Sequence, residues 1–220
     1  FNCSSCNAAL KKKDLERIWV TLKDVVLNQT IKQVKQIPVL INYSVKIGTK
    51  SKTFYKKPDK YDFKTLEKIN DLQLTSWYPT QRMPEGRESR RNDKIGITHT
   101  HQFYTKRALL VLSKFFEKIL KTNNPRCIFW FTSVWFWTSK INVLHVQNYF
   151  HKKGGSVGSP KGRLYIGSLS LETNVHYRLE LKKSSFISNY VMSDSNYIIS
   201  TQSSTKIPQI PNNSIDYIFT

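Results

Sequence analysis

Acidic residues are scarce in this 220-residue chain, which has 15 Asp and Glu against 35 Lys and Arg and a formal net charge of +20. This excess of cations favours a polyanionic partner, because Lys and Arg that neutralise phosphates release counterions. Lys, Asn, Ile, Tyr and Phe are all abundant, however, and A/T-rich coding produces that profile without selection for binding. Charge alone leaves both explanations open.

Cysteine and long apolar runs are scarce as well. The three cysteines are an odd number, which argues against a disulfide framework and indicates a reducing compartment. No apolar run approaches the roughly 18 residues that a membrane span needs. We therefore expect a cytoplasmic protein that does not enter a membrane. Because the chain opens on Phe1 and closes inside a predicted strand, we also expect an internal piece of a longer protein.

Two of the cysteines form the pair Cys3-Ser-Ser-Cys6. A tight turn between two thiolates suits tetrahedral zinc, but zinc needs four ligands and the chain offers no second pair. A half-site completed by upstream ligands, a redox pair and incidental cysteines are the three interpretations. Cys127 lies in an apolar run and is expected to be a small buried hydrophobic residue.

Apolar spacing predicts the regular elements of the first two thirds of the chain. Residues 14–27 have helical spacing, and residues 37–47 and 52–57 predict two strands joined at Gly48-Thr49. A helix capped by Asp62 follows. The clearest helix spans Lys106 to Lys121, with Thr105 as its cap.

Arginine is concentrated in the polar stretch from Thr80 to Ile97. Arginine forks suit phosphate or guanine edges, whereas a drift toward A/T-rich codons would favour lysine. A solvated loop with internal ion pairs is the alternative. The following His99-Thr100-His101 lacks an evident third metal ligand, so we expect hydrogen-bonding or core histidines.

Two further stretches invite a nucleic-acid interpretation. Residues 128–137 are the most aromatic part of the chain, and a core segment is favoured over a base-stacking surface because apolar residues are contiguous. Residues 152–163 form a basic, glycine-rich loop whose spacing fits neither a Walker motif nor a dinucleotide fingerprint. Phosphate contact and an ordinary hinge both remain possible for this loop.

The last third predicts strands at Leu164–Ile166, at Tyr197–Thr201 and over Ile215–Phe219, the last preceded by an Asn-Asn-Ser turn. In open α/β sheets, ligands bind just beyond the carboxyl ends of strands. The chain stops at the point where such a site would begin.

Several stretches, in order, resemble DNA methylases that carry a zinc ribbon inside an adenine or cytosine amino-methyltransferase. The resembling stretches are "KQIPVLINYSV" at 35–45, "KKPDKYD" at 56–62, "WYPTQRMPEGRESRRNDKIGITHTHQFYTKR" at 77–107, "GRLYIGSLSLETN" at 162–174 and "ISTQSSTKIPQIPNNSIDYIFT" at 199–220. The third is the most specific. The resemblance covers nearly the whole chain.

The resemblance implies that S-adenosylmethionine is the cofactor and that its glycine-containing loop lies upstream. It implies a catalytic Asp-Pro-Pro-aromatic motif directly after Thr220, so no catalytic residue is expected within this chain. Cys3 and Cys6 match the second Cys-x-x-Cys of the zinc ribbon, and Ser203 lies in the loop that contacts the cofactor's adenosine. Double-stranded DNA is the implied partner. The residues expected to contact it are Arg82, Arg87, Arg90, Arg91, Lys94, Arg107, Lys152, Lys153, Lys161 and Arg163.

We therefore expect an α/β fold with a partial Rossmann-like methyltransferase sheet, an N-terminal zinc-ribbon remnant and an inserted hairpin/helix recognition region. The expected boundaries are 1–30 for the remnant and its helix, 31–98 for the recognition region, and 99–220 for the partial methyltransferase domain. A non-catalytic nucleic-acid-binding module related to the methylase is the alternative function. A restriction endonuclease is a weaker third, because Glu180-Leu-Lys182 lacks a convincing upstream acid.

Overall fold

A computed structural model of the chain describes residues 2–3, 5–11, 16–151, 157–158, 164–188, 210–211 and 214. Within these residues the architecture is mixed α/β. Two β-hairpins come first, and all the described helices follow them. Every strand pairing in this part of the chain is antiparallel and two-stranded.

The first hairpin replaces a predicted helix. Strand β1 (Trp19–Asp24) pairs with β2 (Gln29–Val34), so that Trp19 lies opposite Val34. The helix predicted over residues 14–27 is therefore wrong. The turn chemistry explains the difference: Asp24 Oδ1 accepts hydrogen bonds from the amides of Val26 and Leu27, both at 3.2 Å, and Asn28 adopts a left-handed φ of 48°.

The second hairpin confirms the predicted pairing around Gly48-Thr49. Strand β3 (Ile41–Ile47) pairs with β4 (Lys50–Lys56), from Ile41 opposite Lys56 to Ile47 opposite Lys50. Gly48 has a φ of +60°, which a residue without Cβ adopts at little cost. We call this hairpin the ribbon.

The helices have the following bounds. They are α1 (Lys60–Asp71), α2 (Arg87–Asp93), α3 (Lys106–Lys121), α4 (Pro125–Trp135), α5 (Val146–His151) and α6 (Val175–Ser188). Short 3-10 segments occupy Thr100–Phe103 and Phe136–Thr138. Strands β5 (Val143–Leu144) and β6 (Val157–Gly158) flank α5.

Side-chain caps define the starts of α1 and α3. The bounds predicted for α3 are confirmed, and the Thr105 hydroxyl accepts from the Ala108 amide at 3.1 Å. Helix α1 is capped one turn earlier than predicted. Asp59 is its N-cap, and Asp62 is the third helical residue, whose carboxylate accepts from the Asp59 amide at 2.9 Å.

The hydrophobic core lies among the helices. Helix α3 contacts α1, α4 and α6. The buried core residues are Ile97, Phe103, Tyr104, Ala108, Leu109, Leu112, Val134, Ile141, Ile166, Val175 and Leu179. The aromatic stretch 128–137 supplies only one face to this core: Val134 is fully buried, whereas Phe129 is 72% exposed, as expected when contiguous apolar residues follow a helical period.

The expected Rossmann-like sheet stays a prediction. Residues 164–166 have no regular secondary structure, so the strand predicted there is wrong. The strands predicted at 197–201 and 215–219 lie outside the described residues, as does the loop at 152–156 and 159–163. Among the helices that the structure describes, none combines the length and the apolar composition that a membrane span requires.

Candidate nucleic-acid interface and the network behind it

A buried carboxylate joins the first hairpin to the segment that precedes α3. Asp24 Oδ2 lies 2.7 Å from His101 Nε2 and accepts from Gln102 Nε2 at 3.1 Å. All three side chains are at most 9% exposed. Because an ionised carboxylate only accepts hydrogen bonds, His101 Nε2 must carry a proton.

Hydrogen bonding decides the charge state of Asp24. Burial alone would raise the pKa of this carboxyl group, but hydrogen bonds from His101, Gln102 and the Leu27 amide together hold its pKa below the usual 3.8. Asp24 is therefore ionised at neutral pH. It saturates its acceptor sites with two side-chain donors and two backbone donors.

The side-chain oxygen of Gln102 orders the residues that come just before the Asp24 network. Its Oε1 atom accepts from the amides of Thr98 at 2.8 Å and His99 at 3.1 Å. The Thr98 hydroxyl lies 2.7 Å from His99 Nδ1. Burial, followed by the nearby His101 and Arg82, lowers the pKa of His99. Both histidines thus hydrogen-bond within the fold, as the sequence predicts.

A partly buried lysine, Lys140, supports the same segment through the backbone. Lys140 Nζ donates to the Gln102 carbonyl at 2.9 Å, and the Lys140 amide donates to the Phe103 carbonyl at 2.7 Å. Protein atoms surround the ammonium although part of the side chain reaches solvent, and this burial lowers the pKa of Lys140 to about 8.

A close backbone approach fixes the arginine-rich stretch against the first hairpin. The Val34 amide donates to the Ile95 carbonyl at 3.2 Å. At Gly96, which has a φ of +78°, a Cβ atom would lie 2.0 Å from the Lys32 carbonyl oxygen. No side chain fits at position 96 without moving β2, so glycine is required there.

Four of the predicted DNA-contacting arginines are engaged in ion pairs. Arg90 and Arg82 both reach Asp93 Oδ2, at 2.6 and 3.1 Å, and Arg90 also lies 3.2 Å from Glu85. Arg91 pairs with Glu88 at 2.9 Å, and Arg107 pairs with Glu172 at 2.9 Å. The ion-paired alternative therefore describes these four arginines.

Two of the predicted cations have no such partner in the described part of the chain. Arg87 and Lys94, at the two ends of α2, are exposed and form no ion pair with a described residue. The structure thus brings three of the six described candidates together around Asp93 and Glu88, pairs Arg107 separately with Glu172, and leaves two facing solvent. The remaining candidates, Lys152, Lys153, Lys161, Arg163 and Ser203, lie outside the described residues.

The cysteine pair lies in a tight backbone turn. The Cys3 amide donates to the Ala8 carbonyl and the Asn7 amide to the Cys3 carbonyl, each at 2.9 Å. Asn7 has a left-handed φ of 56°. Hydrogen bonds from the backbone amides of Ser5 and Cys6 lower the pKa of the Cys3 thiol, which favours the thiolate that binds metals. The two cysteines thus lie on one short turn, and the zinc half-site stays a prediction.

The turn does not make a complete metal centre. Among the described residues, no group of three or more His, Cys, Asp or Glu side chains could hold a metal ion. Cys127 lies on α4. Its thiol is partly buried and free.

Sequence reasoning missed the ribbon as a cationic surface. Residues 25–58 contain seven lysines and no Asp or Glu, and the ribbon lies inside this run. The signal was available as a local charge imbalance. The interpretation based on arginine left these lysines out, because A/T-rich coding also supplies lysine.

The chain matches no protein-family model, no curated protein and no solved structure. The resemblance to DNA methylases therefore stays a prediction, and function has to be inferred from residues and geometry.

We predict that Asp24→Asn destabilises the fold by about 2–4 kcal/mol at neutral pH, because the new NH2 group faces either the His101 and Gln102 donors or the two backbone amides of the turn. Asp24 is ionised more readily in the folded chain than in the unfolded one, so its contribution is full above the unfolded pKa. The contribution is lost as pH falls through the lower folded pKa. The variant should therefore lose less stability on acidification. Urea unfolding across this pH range measures both effects.

Asp71→Asn is the matched control, since Asp71 is exposed at the end of α1 and the change should stay within about 0.5 kcal/mol. Equal destabilisation by the two substitutions would show that the Asp24 network contributes no more to stability than an exposed carboxylate does.

Proposed function

We propose that this chain is an internal part of an S-adenosylmethionine-dependent, site-specific DNA methyltransferase acting on adenine N6 or cytosine N4. Its role is to contribute DNA recognition and part of the catalytic sheet, in a reducing, cytoplasmic setting. The observation that carries the proposal is the ordered set of resembling stretches, above all 77–107 and 199–220.

The geometry of stretch 77–107 supports a role in positioning a surface. This stretch contains His101 and Gln102, whose side chains are held by Asp24, and it contains the close approach of Gly96 to β2. Around these anchored residues, Arg87 and Lys94 extend into solvent from α2. A rigid base that carries unpaired cations suits contact with phosphates.

The chemistry assigns different tasks to this chain and to the motif expected after Thr220. Methylating an exocyclic amine requires the target base to leave the stack, and the bound cofactor supplies the methyl group. Residues that accept hydrogen bonds from the amine and stack on the flipped base belong to the expected motif. The residues of this chain grip the flanking duplex and neutralise its phosphates.

The turn at Cys3 and Cys6 supports a zinc half-site within the same proposal. Zinc takes four ligands in structural sites, and thiolates are among its preferred ones. The amide hydrogen bonds favour the Cys3 thiolate, and the turn that ends at the left-handed Asn7 keeps Cys6 close to Cys3 along the backbone. The other two are expected upstream, as the resemblance implies.

Methyl transfer separates the proposed enzyme from a non-catalytic module. The longer protein should move a labelled methyl group from S-adenosylmethionine to duplex DNA, and digestion should recover N6-methyladenine or N4-methylcytosine. The 1–220 chain alone should bind DNA without transfer. DNA binding by the longer protein with neither cofactor binding nor methyl transfer would instead establish the non-catalytic module.

Charge removal on α2 tests the recognition role. Arg87→Gln with Lys94→Gln should reduce the log–log slope of DNA affinity against salt by about 1.8, since each lost phosphate contact contributes about 0.9. Arg82→Gln with Arg91→Gln removes the same charge from ion-paired arginines and should change the slope less. Slopes come from fluorescence anisotropy at several salt concentrations, and an equal change in both pairs would contradict the assignment.

Metal analysis tests the half-site. The longer protein should retain one zinc per chain after dialysis, and Cys3→Ser with Cys6→Ser should release it. Cys127→Ser is the control and should retain zinc, because Cys127 lies on α4, away from the turn in sequence. Zinc retained by the double variant would show that these two thiols are not ligands.

A further inference from the structure

The ribbon has two chemically different faces. Residues opposite one another in an antiparallel pair share a face. One face has the apolar residues Ile41, Tyr43, Val45, Ile47 and Phe54 with three lysines. The other face has only polar or amphipathic side chains, and all of them are exposed: Asn42, Ser44, Lys46, Ser51, Thr53 and Tyr55.

The apolar face is stabilised within the ribbon itself. The rings of Tyr43 and Phe54 stack with centroids 5.6 Å apart, and Lys52 Nζ lies 5.4 Å from the centre of the Phe54 ring. At the base of the ribbon, Tyr55 meets Tyr149 of α5 edge to face at 5.1 Å. Because Tyr55 belongs to the polar face, the base of that face contacts α5, whereas Ser44, Lys46, Ser51 and Thr53 remain exposed toward the tip.

The charge around the ribbon specifies the class of partner. No Asp or Glu occurs from residue 25 to residue 58, and Lys46, Lys50 and Lys52 surround the Gly48-Thr49 turn. Each of the three is exposed. Lys56, at the base, is the exception, because it pairs with Asp59 at 3.0 Å and with Asp62 at 2.7 Å. The uncompensated charge is thus concentrated at the tip.

We propose that the ribbon enters the major groove of duplex DNA with its polar face toward the base edges. This proposal rests on the proposed DNA-recognition function and adds the element and the residues that would read sequence. Asn42, Ser44, Ser51 and Thr53 hydrogen-bond to base edges. Lys46 of the same face, together with Lys50 and Lys52, whose long side chains reach from the apolar face toward the rims of the groove, neutralises the phosphates beside it.

The dimensions of the ribbon fit this partner. The major groove is about 12 Å wide and admits a two-stranded β-ribbon, whereas the minor groove is about half that width. Alternate residues on one strand are roughly 6.8 Å apart, which matches two base-pair steps of about 3.4 Å. Asn suits the donor and acceptor of adenine, and Ser and Thr suit several base edges.

Two variants of the 1–220 chain test the proposal, each lacking three lysine charges. Lys46→Gln, Lys50→Gln and Lys52→Gln together should reduce the salt slope for duplex binding by about 2.7. The control changes Lys64, Lys68 and Lys118 to Gln, which are exposed on α1 and α3, and should leave the slope near its original value. Circular dichroism verifies that both variants keep their fold.

Sequence reading is tested separately from charge. Asn42→Ala with Thr53→Val should leave the salt slope unchanged and should lower discrimination between bases roughly 10- to 100-fold at the positions read. Selection from a randomised duplex library, carried out with the unmodified chain and this variant, measures that discrimination. Unchanged base preferences in the variant would overturn the reading role.

The outcomes distinguish this proposal from the function on which it rests. If the unmodified chain binds duplex DNA and the ribbon and control variants have equal slopes, the ribbon assignment is wrong while DNA recognition stands. Failure of the unmodified chain to bind duplex DNA would overturn both. Tighter binding to single-stranded DNA or to RNA would overturn the major-groove assignment.

Discussion

The Asp24 carboxylate is the interaction on which the rest of the described structure depends. One of its oxygens closes the β1–β2 turn through two backbone amides, and the other holds His101 and Gln102. A single buried charge thereby joins a hairpin to a segment 77 residues later in the chain. Burying a carboxylate is costly unless donors surround it, and here four donors do so. The depressed pKa of Asp24 is the thermodynamic sign that these donors outweigh its desolvation.

Local signals in the sequence predicted local structure well. The cap at Thr105 and the apolar period of α3 defined that helix, and Gly48-Thr49 defined the ribbon turn. These elements depend on neighbours within a few residues, which a single sequence contains. The helix predicted over residues 14–27 failed because its apolar spacing outweighed a local turn signal at Asp24 and Asn28, and because the Asp24 carboxylate also depends on His101 and Gln102. No local pattern announces a partner so distant in sequence.

The sequence predicted the residues of the candidate site but only part of their arrangement. Arginine clustering in residues 82–91 was evident, but the sequence could not show which carboxylates neutralise which guanidinium groups. The structure assigns Asp93 to Arg82 and Arg90 and leaves Arg87 exposed. Ion pairing is a three-dimensional property, so the free charge of a surface differs from the charge counted along the chain. In this molecule the counted excess of arginine near α2 overstates the free charge, whereas the lysines of the ribbon tip form no ion pair with a described carboxylate.

The charge of the ribbon also affects whether copies of this chain associate with one another. A two-stranded pair has two open edges, and each offers unpaired N–H and C=O groups to a strand of another molecule. Within the described residues, β3 and β4 pair only with each other, and apolar side chains such as Ile47 are 58% exposed beside those edges. Lys46 on β3, together with Lys50 and Lys52 on β4, makes a second ribbon an unfavourable neighbour through like-charge repulsion. The charge that suits a polyanion therefore also opposes strand-by-strand aggregation, and it does so whenever the polyanion is absent.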